Sequence, residues 1–438
     1  MNKTGVLFFP AFDWSLGETH PEREERLLYT RDQLFEEGLM DLPQFVEYTP
    51  VLAGKKDIAR THAVLPGPDE HVTAPHLIAA GGVLTLAKAL MAGEISRGFA
   101  MVRPPGHHAM HTVYGNRGFC TINNVAIMVN FLRRTYGIKK IAIVDTDVHH
   151  GDGSHDIFYH DPDVLYISIH QDGRTLYPGS GFPDERGGPQ AFDRTLNIPL
   201  PPGSGDEALL YVLEELVLPA IADFQPDLVL NSAGQDNHFT DPLANMRITA
   251  KGYGDLTRLL NADLAVLEGG YAIETALPYV NLGILLAMAG IDYANVEPNP
   301  CVTDTVPLRA IKPLVEAIKQ RKKVSIPKQD WYVFHKDVFY DTDYIWEQRV
   351  EKIRGCRQCA GLQLIETGAG ANRGAKLENL VIKLPFGVCP KCREIAEKTF
   401  ALQKKALSYR MVYWQDQAAD VYRYFDGKLR EVVDEQPD

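Results

Sequence analysis

The sequence lacks a long hydrophobic run. Residues 5–9 are apolar but are stopped by Pro10, and no other run approaches the roughly 20 residues that a membrane-spanning helix needs. Nothing near Met1 is typical of a signal peptide. We therefore expect a soluble, cytoplasmic protein without a membrane partner.

Positive charge is also scarce. The chain has 45 Lys and Arg residues against 57 Asp and Glu residues, which gives a formal net charge of −12. Such a surface disfavours contact with phosphate backbones and attracts cationic molecules such as polyamines or lysine-rich tails. We expect no direct nucleic-acid binding.

Cysteine is rare, but four of the six cysteines form two Cys-x-x-Cys pairs near the C-terminus: Cys356, Cys359, Cys389 and Cys392. Without a secretory signal, such pairs indicate a metal site rather than disulfides. Four thiolates fit a closed structural zinc site similar to a zinc ribbon, with a hairpin or loop filling 360–388. A redox pair or an iron–sulfur cluster is the alternative. Such a zinc-ribbon-like module could bind a partner protein or form the contact of a homo-oligomer.

Short apolar runs alternate with segments of helical period from residue 1 to about 320. The runs predict buried strands at 5–9, 98–103, 139–145, 163–169, 227–231 and 264–268, and the segments between them predict helices at 76–92, 123–136, 206–223 and 275–289. This alternation is typical of an α/β fold with a mainly parallel central sheet flanked by helices. The composition changes after Pro327, so we predict two domains, 1–325 and 326–438.

Polar motifs follow four of the predicted strands: 103–108, 145–153, 232–242 and 269–271. In open α/β sheets ligands bind beyond the carboxyl ends of the strands. Asp147 and His149 are one residue apart, so extended backbone directs both side chains to one side. With the carboxylate of Asp241 they would form three ligands of a catalytic metal that keeps open positions. Zinc suits this set, although Fe(II), Co(II) and Mn(II) are alternatives.

The His107–His108 pair offers proton transfer beside that metal, and Asp145 and Asp152 are available to orient the two rings. Tyr271 follows two glycines and could donate to a developing oxyanion. Each motif alone is also typical of a structural role, as a capped turn or a buried histidine. That explanation would have to hold at four strand ends at once.

These motifs together resemble the histone deacetylase and acetylpolyamine amidohydrolase superfamily over roughly residues 1–320. The resemblance rests on Arg-Pro-Pro-Gly-His-His, Asp-x-Asp-Val-His-His-Gly-Asp-Gly, Asp-x-His-x-x-Asp-Pro-Leu and Glu-Gly-Gly-Tyr, which occur in the family's order. It implies a fold of the arginase/deacetylase type and zinc bound by Asp147, His149 and Asp241.

The resemblance also implies roles for matching positions. His108, oriented by Asp152, would be the general base and then the acid for the leaving amine. His107, paired with Asp145, would supply electrostatic stabilisation, and Tyr271 would hold the carbonyl oxygen. The remaining implied positions are the substrate tunnel at Phe119, Tyr177 and the Gly270 carbonyl, and a potassium site at Asp145, Asp147, His149 and Ser168.

The sequence departs from the family pattern at two places, of which the second, a rim loop, governs partner choice in the family. Gln235 stands where the family usually has an aromatic residue. The stretch between about Asp57 and Thr73 is short, and Asp69 is the nearest candidate for the loop aspartate that grips the substrate in the family.

The predicted function is zinc-dependent removal of an acetyl or other acyl group from lysine in proteins or peptides. A deacylase of acetylpolyamines or other small amines is the second hypothesis. In the family, polyamine specificity is accompanied by an insertion at the rim of the active site, and no such insertion is evident in this sequence. A non-catalytic binding module is the third. Arginase-like dinuclear chemistry needs a carboxylate where this chain has His238.

Overall fold

The computed structural model describes residues 3–64, 71–298, 300, 305–321 and 326–434. The first part of the chain alternates strands with helices. In chain order its elements are β1 (Thr4–Phe9), α1 (Leu28–Glu36), β2 (Phe45–Tyr48), α2 (Lys55–Ala59), β3 (Ala63–Val64), α3 (Ala74–Met91), β4 (Arg97–Val102), β5 (Thr112–Val113), α4 (Asn124–Tyr136), β6 (Ile141–Asp145), α5 (Asp152–Phe158), β7 (Val164–Gln171), β8 (Thr195–Leu200), α6 (Asp206–Val212), α7 (Leu218–Phe224), β9 (Leu228–Ala233), α8 (Ala250–Leu260), β10 (Leu264–Leu267), α9 (Leu277–Ala289) and α10 (Leu308–Lys319).

Eight of these strands form a parallel sheet in the order β2-β1-β4-β10-β9-β6-β7-β8. Both faces of the sheet are covered by helices, and a separate apolar cluster fills each face. The central strands are buried on both sides, which explains their continuous apolar sequence. The predicted α/β fold with a parallel central sheet flanked by helices is confirmed.

The six predicted strands coincide with β1, β4, β6, β7, β9 and β10, within a few residues at each end. Two strands of the sheet, β2 and β8, were missed by the pattern. The helix predicted over 206–223 is confirmed, since α6 and α7 are joined without a break by a π-helical turn at Leu213–Val217. Pro219 lies just after that turn, and because proline has no N–H the regular α-helical hydrogen bonding is disturbed there.

Helix α3 is long and apolar enough to cross a membrane by length and composition. The expectation that no segment approaches this length is therefore wrong. Ala79, Val83 and Leu86 of this helix are buried in the cluster on one face of the parallel sheet. A buried core helix can be as long and as apolar as a membrane-spanning helix. The length and composition of α3 therefore do not distinguish the two.

The last part of the chain forms a second sheet of seven strands, β11 to β17 in sequence order, which pair antiparallel except for β14 and β15. Its elements are β11 (Trp331–Tyr340), β12 (Ile345–Arg354), β13 (Gln363–Gly370), β14 (Asn379–Leu384), α11 (Pro390–Ala406), β15 (Met411–Asp416), β16 (Val421–Asp426) and β17 (Glu431–Asp434). The hairpin β13–β14 fills the spacer between the two cysteine pairs, as expected.

The second sheet packs against the first unit through buried polar contacts. The hydroxyl of Thr112 donates to a carboxylate oxygen of Glu347 at 2.6 Å. The carboxylate of Asp156, at the end of α5, accepts from Lys336 at 2.7 Å and from Arg349 at 2.8 Å. Arg349 is completely buried, and Glu347 and Glu351 also pair with it, so its charge in the interior is compensated by three carboxylates. The predicted bounds 1–325 and 326–438 remain a prediction.

Candidate active site

The four polar motifs follow the four central strands of the parallel sheet. Strands β4, β10, β9 and β6 are consecutive neighbours, and their carboxyl ends carry the segments 103–108, 268–271, 234–241 and 145–152. Because all four strands run in one direction, the loops that follow them meet at one edge of the sheet. Residues more than 150 positions apart in the chain are thereby brought together.

One group of side chains at this edge is suited to a metal ion. Asp147, His149 and Asp236 each offer a ligand atom, and these three atoms lie within 4.8 Å of one another. The Nδ1 atom of His149 is 3.1 Å from a carboxylate oxygen of each aspartate. Gly269 lies against the group, since a Cβ added there would be 2.1 Å from Asp236 Oδ2 and 2.6 Å from Asp147 Oδ2.

Asp241, the predicted third ligand, is close by but lies outside that 4.8 Å group. Its carboxylate accepts the backbone N–H groups of Leu243 at 2.9 Å and Tyr271 at 2.7 Å. Burial and the charge of Asp236 raise the pKa of Asp241 to about 7. Sequence reasoning assigned no role to Asp236, although it stands in the same motif as Asp241.

The charges around this group favour a bound cation. Asp147, Asp236 and Asp241 are all buried, and the imidazole of His149 lies among them. Burial opposes a charge on His149, but hydrogen bonds to Asp147 and Asp236 raise its pKa to about 10. Several carboxylates away from water need a positive partner, and a divalent ion would supply it. The donor set of carboxylate oxygens and one imidazole fits zinc.

The adjacent histidines have separate partners, as the sequence predicted. Nδ1 of His107 is 3.1 Å from Asp145, and Nδ1 of His108 is 2.8 Å from Asp152. Burial opposes charge on His107, yet Asp147 and Asp145 raise its pKa. Burial and the positive charge of His107 lower the pKa of His108. One imidazole therefore favours the charged form and its neighbour favours the neutral form.

Two further side chains hold these pairs in position, and neither was found from the sequence. Arg117 binds both carboxylate oxygens of Asp152, at 2.9 and 2.6 Å. The hydroxyl of Tyr166 donates to Asp145 at 3.0 Å. Arg117 lies on a loop and Tyr166 lies inside a buried strand, so no local pattern distinguishes either residue. A bidentate arginine contact restricts the carboxylate that orients His108.

A cavity of about 270 Å³ opens onto these groups. His107, His108, His149 and Tyr271 line its inner part, and the predicted tunnel residues Phe119 and Tyr177 also line it. The rings of Phe119 and Tyr271 are 5.5 Å apart, and those of His108 and Tyr177 are 5.2 Å apart. The remaining lining residues are Pro105, Gly118, Leu176, Leu243 and Asp341. Its walls suit an apolar stem that ends at the histidines.

Comparisons with known proteins agree with this geometry. The model of the histone deacetylase domain matches residues 67–283. A probable deacetylase from Archaeoglobus fulgidus is 42% identical over 326 residues, which cover 67% of this chain and 88% of that protein. The chain belongs to the histone deacetylase family. It is therefore a deacetylase-type hydrolase.

Other members of the histone deacetylase family are also similar. Histone deacetylase 14, chloroplastic, from Arabidopsis thaliana is 39% identical over 257 residues, covering 56% of this chain and 60% of that protein. The crystal structure of the HDA15 HD domain superposes with a TM-score of 0.62 at 29% identity, over 72% of this chain and 94% of that one. The family model ends at residue 283, before β11 begins.

The structure also shows the surroundings of the other residues that the family resemblance implied. The Gly270 carbonyl accepts from Arg26 Nε at 2.7 Å. Ser168 pairs with Asp145 in the sheet register, and its hydroxyl is 2.8 Å from His170. Asp69 lies outside the described residues. Potassium binding, self-association and cytoplasmic location remain predictions.

The four C-terminal cysteines of this deacetylase-family chain come together as predicted, with sulfur atoms within 4.8 Å of one another. Cys356 and Cys389 are 3.6 Å apart, as are Cys359 and Cys392. Four sulfurs at about 2.3 Å from one tetrahedral zinc would be roughly 3.8 Å apart. Burial would raise the pKa of Cys356, but the Gln358 backbone N–H and the Cys389 thiol lower it to about 6. The cluster therefore fits a structural zinc ion.

Proposed function

We propose that the protein removes an acetyl or other acyl group from the ε-amine of lysine in proteins or peptides, in a zinc-dependent reaction. One observation carries this proposal. Two histidines with separate aspartate partners line a cavity together with Tyr271, beside a buried group of carboxylates and one imidazole. Family membership alone supports a deacetylase-type hydrolase and leaves the amine open.

Asp147 and His149 would hold the catalytic ion. Asp241 is the third ligand that the resemblance implies, whereas Asp236 is the carboxylate nearer to His149. When bound, zinc supplies a Lewis acid that polarises the acyl carbonyl and makes water more acidic. Zinc content of Asp236→Asn and Asp241→Asn variants identifies the third ligand, because loss of that ligand lowers metal occupancy.

His108 provides the proton transfers of the reaction. Its low pKa leaves the ring neutral, so its free Nε2 can accept a proton from the attacking water while Asp152 holds Nδ1. A bond forms between the water oxygen and the acyl carbon. His108 then returns the proton to the amine nitrogen as the carbon–nitrogen bond breaks, and the products are a carboxylic acid and a free amine.

Tyr271 and His107 stabilise the charge that develops on the carbonyl oxygen. Burial raises the pKa of the Tyr271 phenol, which therefore remains a hydrogen-bond donor at neutral pH. The imidazolium of His107, which Asp147 and Asp145 keep charged by raising its pKa, contributes a fixed positive group close to the reacting atoms. Donors that are already oriented stabilise the transition state without reorganisation.

A panel of acyl-lysine peptides and acylated small amines, assayed with metal-stripped and zinc-restored protein, tests the proposal. We expect turnover of lysine peptides only after zinc is restored, and loss of that turnover in His108→Ala. A zinc-restored protein that hydrolyses no member of the panel would contradict the proposal and favour a binding module.

One observation favours the second candidate, a deacylase of small acylated amines. The cavity is lined at one side by Asp341, which belongs to the turn between β11 and β12 of the second sheet. A rim that narrows the cavity admits a slender amine more readily than a folded protein. A higher kcat/KM for acetylated diamines than for lysine peptides would support this candidate.

A further inference from the structure

A second cavity, of about 640 Å³, lies where the second sheet meets the first unit of the chain. Residues 333–338 of β11 form one side of it. The start of α5 and the loop that follows β7 form the other side, and they contribute His155 and Glu185. None of the described residues that line this cavity lines the active-site cavity. The two cavities are therefore separate spaces, although Asp152, which orients His108, lines the second one.

Three side chains on the wall of this second cavity converge on one point. His150, His155 and Glu185 each offer a ligand atom, and these three atoms lie within 4.8 Å of one another. Nε2 of His150 is 2.9 Å from Nδ1 of His155. Two imidazole nitrogens bound to one zinc ion would be roughly 3 Å apart, and two histidines with one glutamate form a donor set that zinc uses in proteins. The spacing and the donor types both suit a metal ion.

The remaining polar atoms of these side chains are held by neighbours. Nδ1 of His150 is 2.8 Å from the hydroxyl oxygen of Ser180, which leaves Nε2 directed to His155. Oε2 of Glu185 accepts the backbone N–H groups of Gly181 at 3.0 Å and Phe182 at 3.1 Å. Its other oxygen, Oε1, accepts no hydrogen bond from the part of the chain that the structure describes. Such contacts on the far side of a ligand orient it toward a metal ion.

The protonation states also favour a bound cation. Burial lowers the pKa of the His155 imidazole to about 3, so the ring is neutral at pH 7, as metal binding requires. Burial raises the pKa of Glu185, and a cation beside this carboxylate would offset the cost of its charge. Lys336 lines the same cavity, but its ammonium is paired with Asp156 at 2.7 Å. Its positive charge is therefore compensated.

We infer that His150, His155 and Glu185 bind a divalent transition-metal ion of the zinc class. This site is separate from the proposed catalytic ion and from the ion of the cysteine group. The ion joins α5 to the loop that follows β7. Because α5 begins at Asp152 and this loop carries Tyr177, the ion fixes two segments that position residues of the active site.

Elemental analysis of the full-length protein tests the inference. The parent and its variants are incubated with Zn²⁺, freed of unbound metal by gel filtration and analysed for zinc per chain. We expect His155→Gln to hold one zinc equivalent less than the parent, because the amide replaces an imidazole ligand. His335→Gln is the matched control. It makes the same change at an exposed residue of the same cavity and should keep the zinc content of the parent.

A second variant and a second background make the test specific. Glu185→Gln should lose the same equivalent as His155→Gln, and a circular dichroism spectrum like that of the parent shows that each variant is folded. Asp147→Asn removes a proposed ligand of the catalytic ion. In that background His155→Gln should remove one further equivalent, because the two sites bind separate ions.

The inference is overturned if the parent and both variants hold equal zinc, or if His335→Gln loses as much as His155→Gln. It is also overturned if His155→Gln removes nothing further in the Asp147→Asn background, since His155 would then act through the catalytic ion. None of these measurements depends on hydrolysis, so the proposed function and this metal site can fail independently.

Discussion

The two sheets of this chain contribute to the site in different ways. In the parallel sheet, the central strands end together, and each delivers polar side chains to one edge. In the second sheet, the strands form no such edge, and among its described residues Asp341, in the turn between β11 and β12, lines the cavity. The parallel sheet positions the residues that we propose to handle protons and metal, whereas the second sheet contributes Asp341 to the cavity wall. The comparison teaches that two sheets of one chain can contribute to the wall of one cavity.

The way the two sheets are stabilised also differs. The parallel sheet is held by two large apolar clusters. The second sheet has smaller clusters, and it adds the cysteine group and the buried ion pairs around Asp156 and Arg349. A substitution in each region should therefore affect a different property, and three predictions, ordered by expected effect, use this difference.

The largest effect is expected for Tyr271→Phe, which removes the hydroxyl that we propose as the donor to the developing oxyanion. Turnover should fall about 10²-fold or more, while zinc content and the melting temperature stay unchanged. Tyr332→Phe on β11 is the control, since that hydroxyl donates to the Pro327 carbonyl far from the cavity. Near-normal turnover of Tyr271→Phe would show that the parallel sheet does not supply the oxyanion donor.

A second, smaller effect separates stability from chemistry. Cys392→Ser removes one ligand of the predicted structural ion, so the protein should lose one zinc equivalent and about 3 kcal/mol or more of the free energy of unfolding. Turnover of a neutral amide should persist below the melting temperature. Cys120→Ser, a change outside the cysteine group, should keep the zinc content. Unchanged zinc in Cys392→Ser would mean that the cysteines hold no metal.

The smallest effect concerns pH. Burial alone would raise the pKa of Glu351, but Lys336 and Arg349 lower it to about 2, below the usual 4.5. Its stabilising contribution is therefore complete above pH 4.5 and is lost as the pH falls toward 2, by about 2 kcal/mol between pH 6 and pH 3. Thermal unfolding at both pH values measures this loss.

Glu351→Gln is the control for the pH prediction. This variant should be less stable than the parent at pH 6 and should lose less stability on acidification, because it has no charge to lose. If parent and variant lose equal stability between the two pH values, the ion pairs of the second sheet do not account for the acid sensitivity.

Much of the parallel sheet could be predicted from the sequence because buried strands leave continuous apolar runs, as in Ile141–Asp145. Strand β2, Phe45–Tyr48, is short and only partly buried, and β8, Thr195–Leu200, contains Pro199, so neither has that pattern. The spacing of the four C-terminal cysteines likewise predicted that they form one cluster. Arg117 and Tyr166 could not be predicted, since one lies on a loop and the other inside a buried strand, where no local pattern distinguishes either residue.

The sequence by itself determined the family, the parallel sheet and the histidines with their aspartate partners, because each of these depends on short motifs that follow local patterns. Only the tertiary structure decided that Asp236, rather than Asp241, contacts His149 and that Asp341 lines the cavity. These contacts arise where loops from distant strands meet and where one sheet packs on another. Local residue patterns do not determine which residues of two distant loops come into contact.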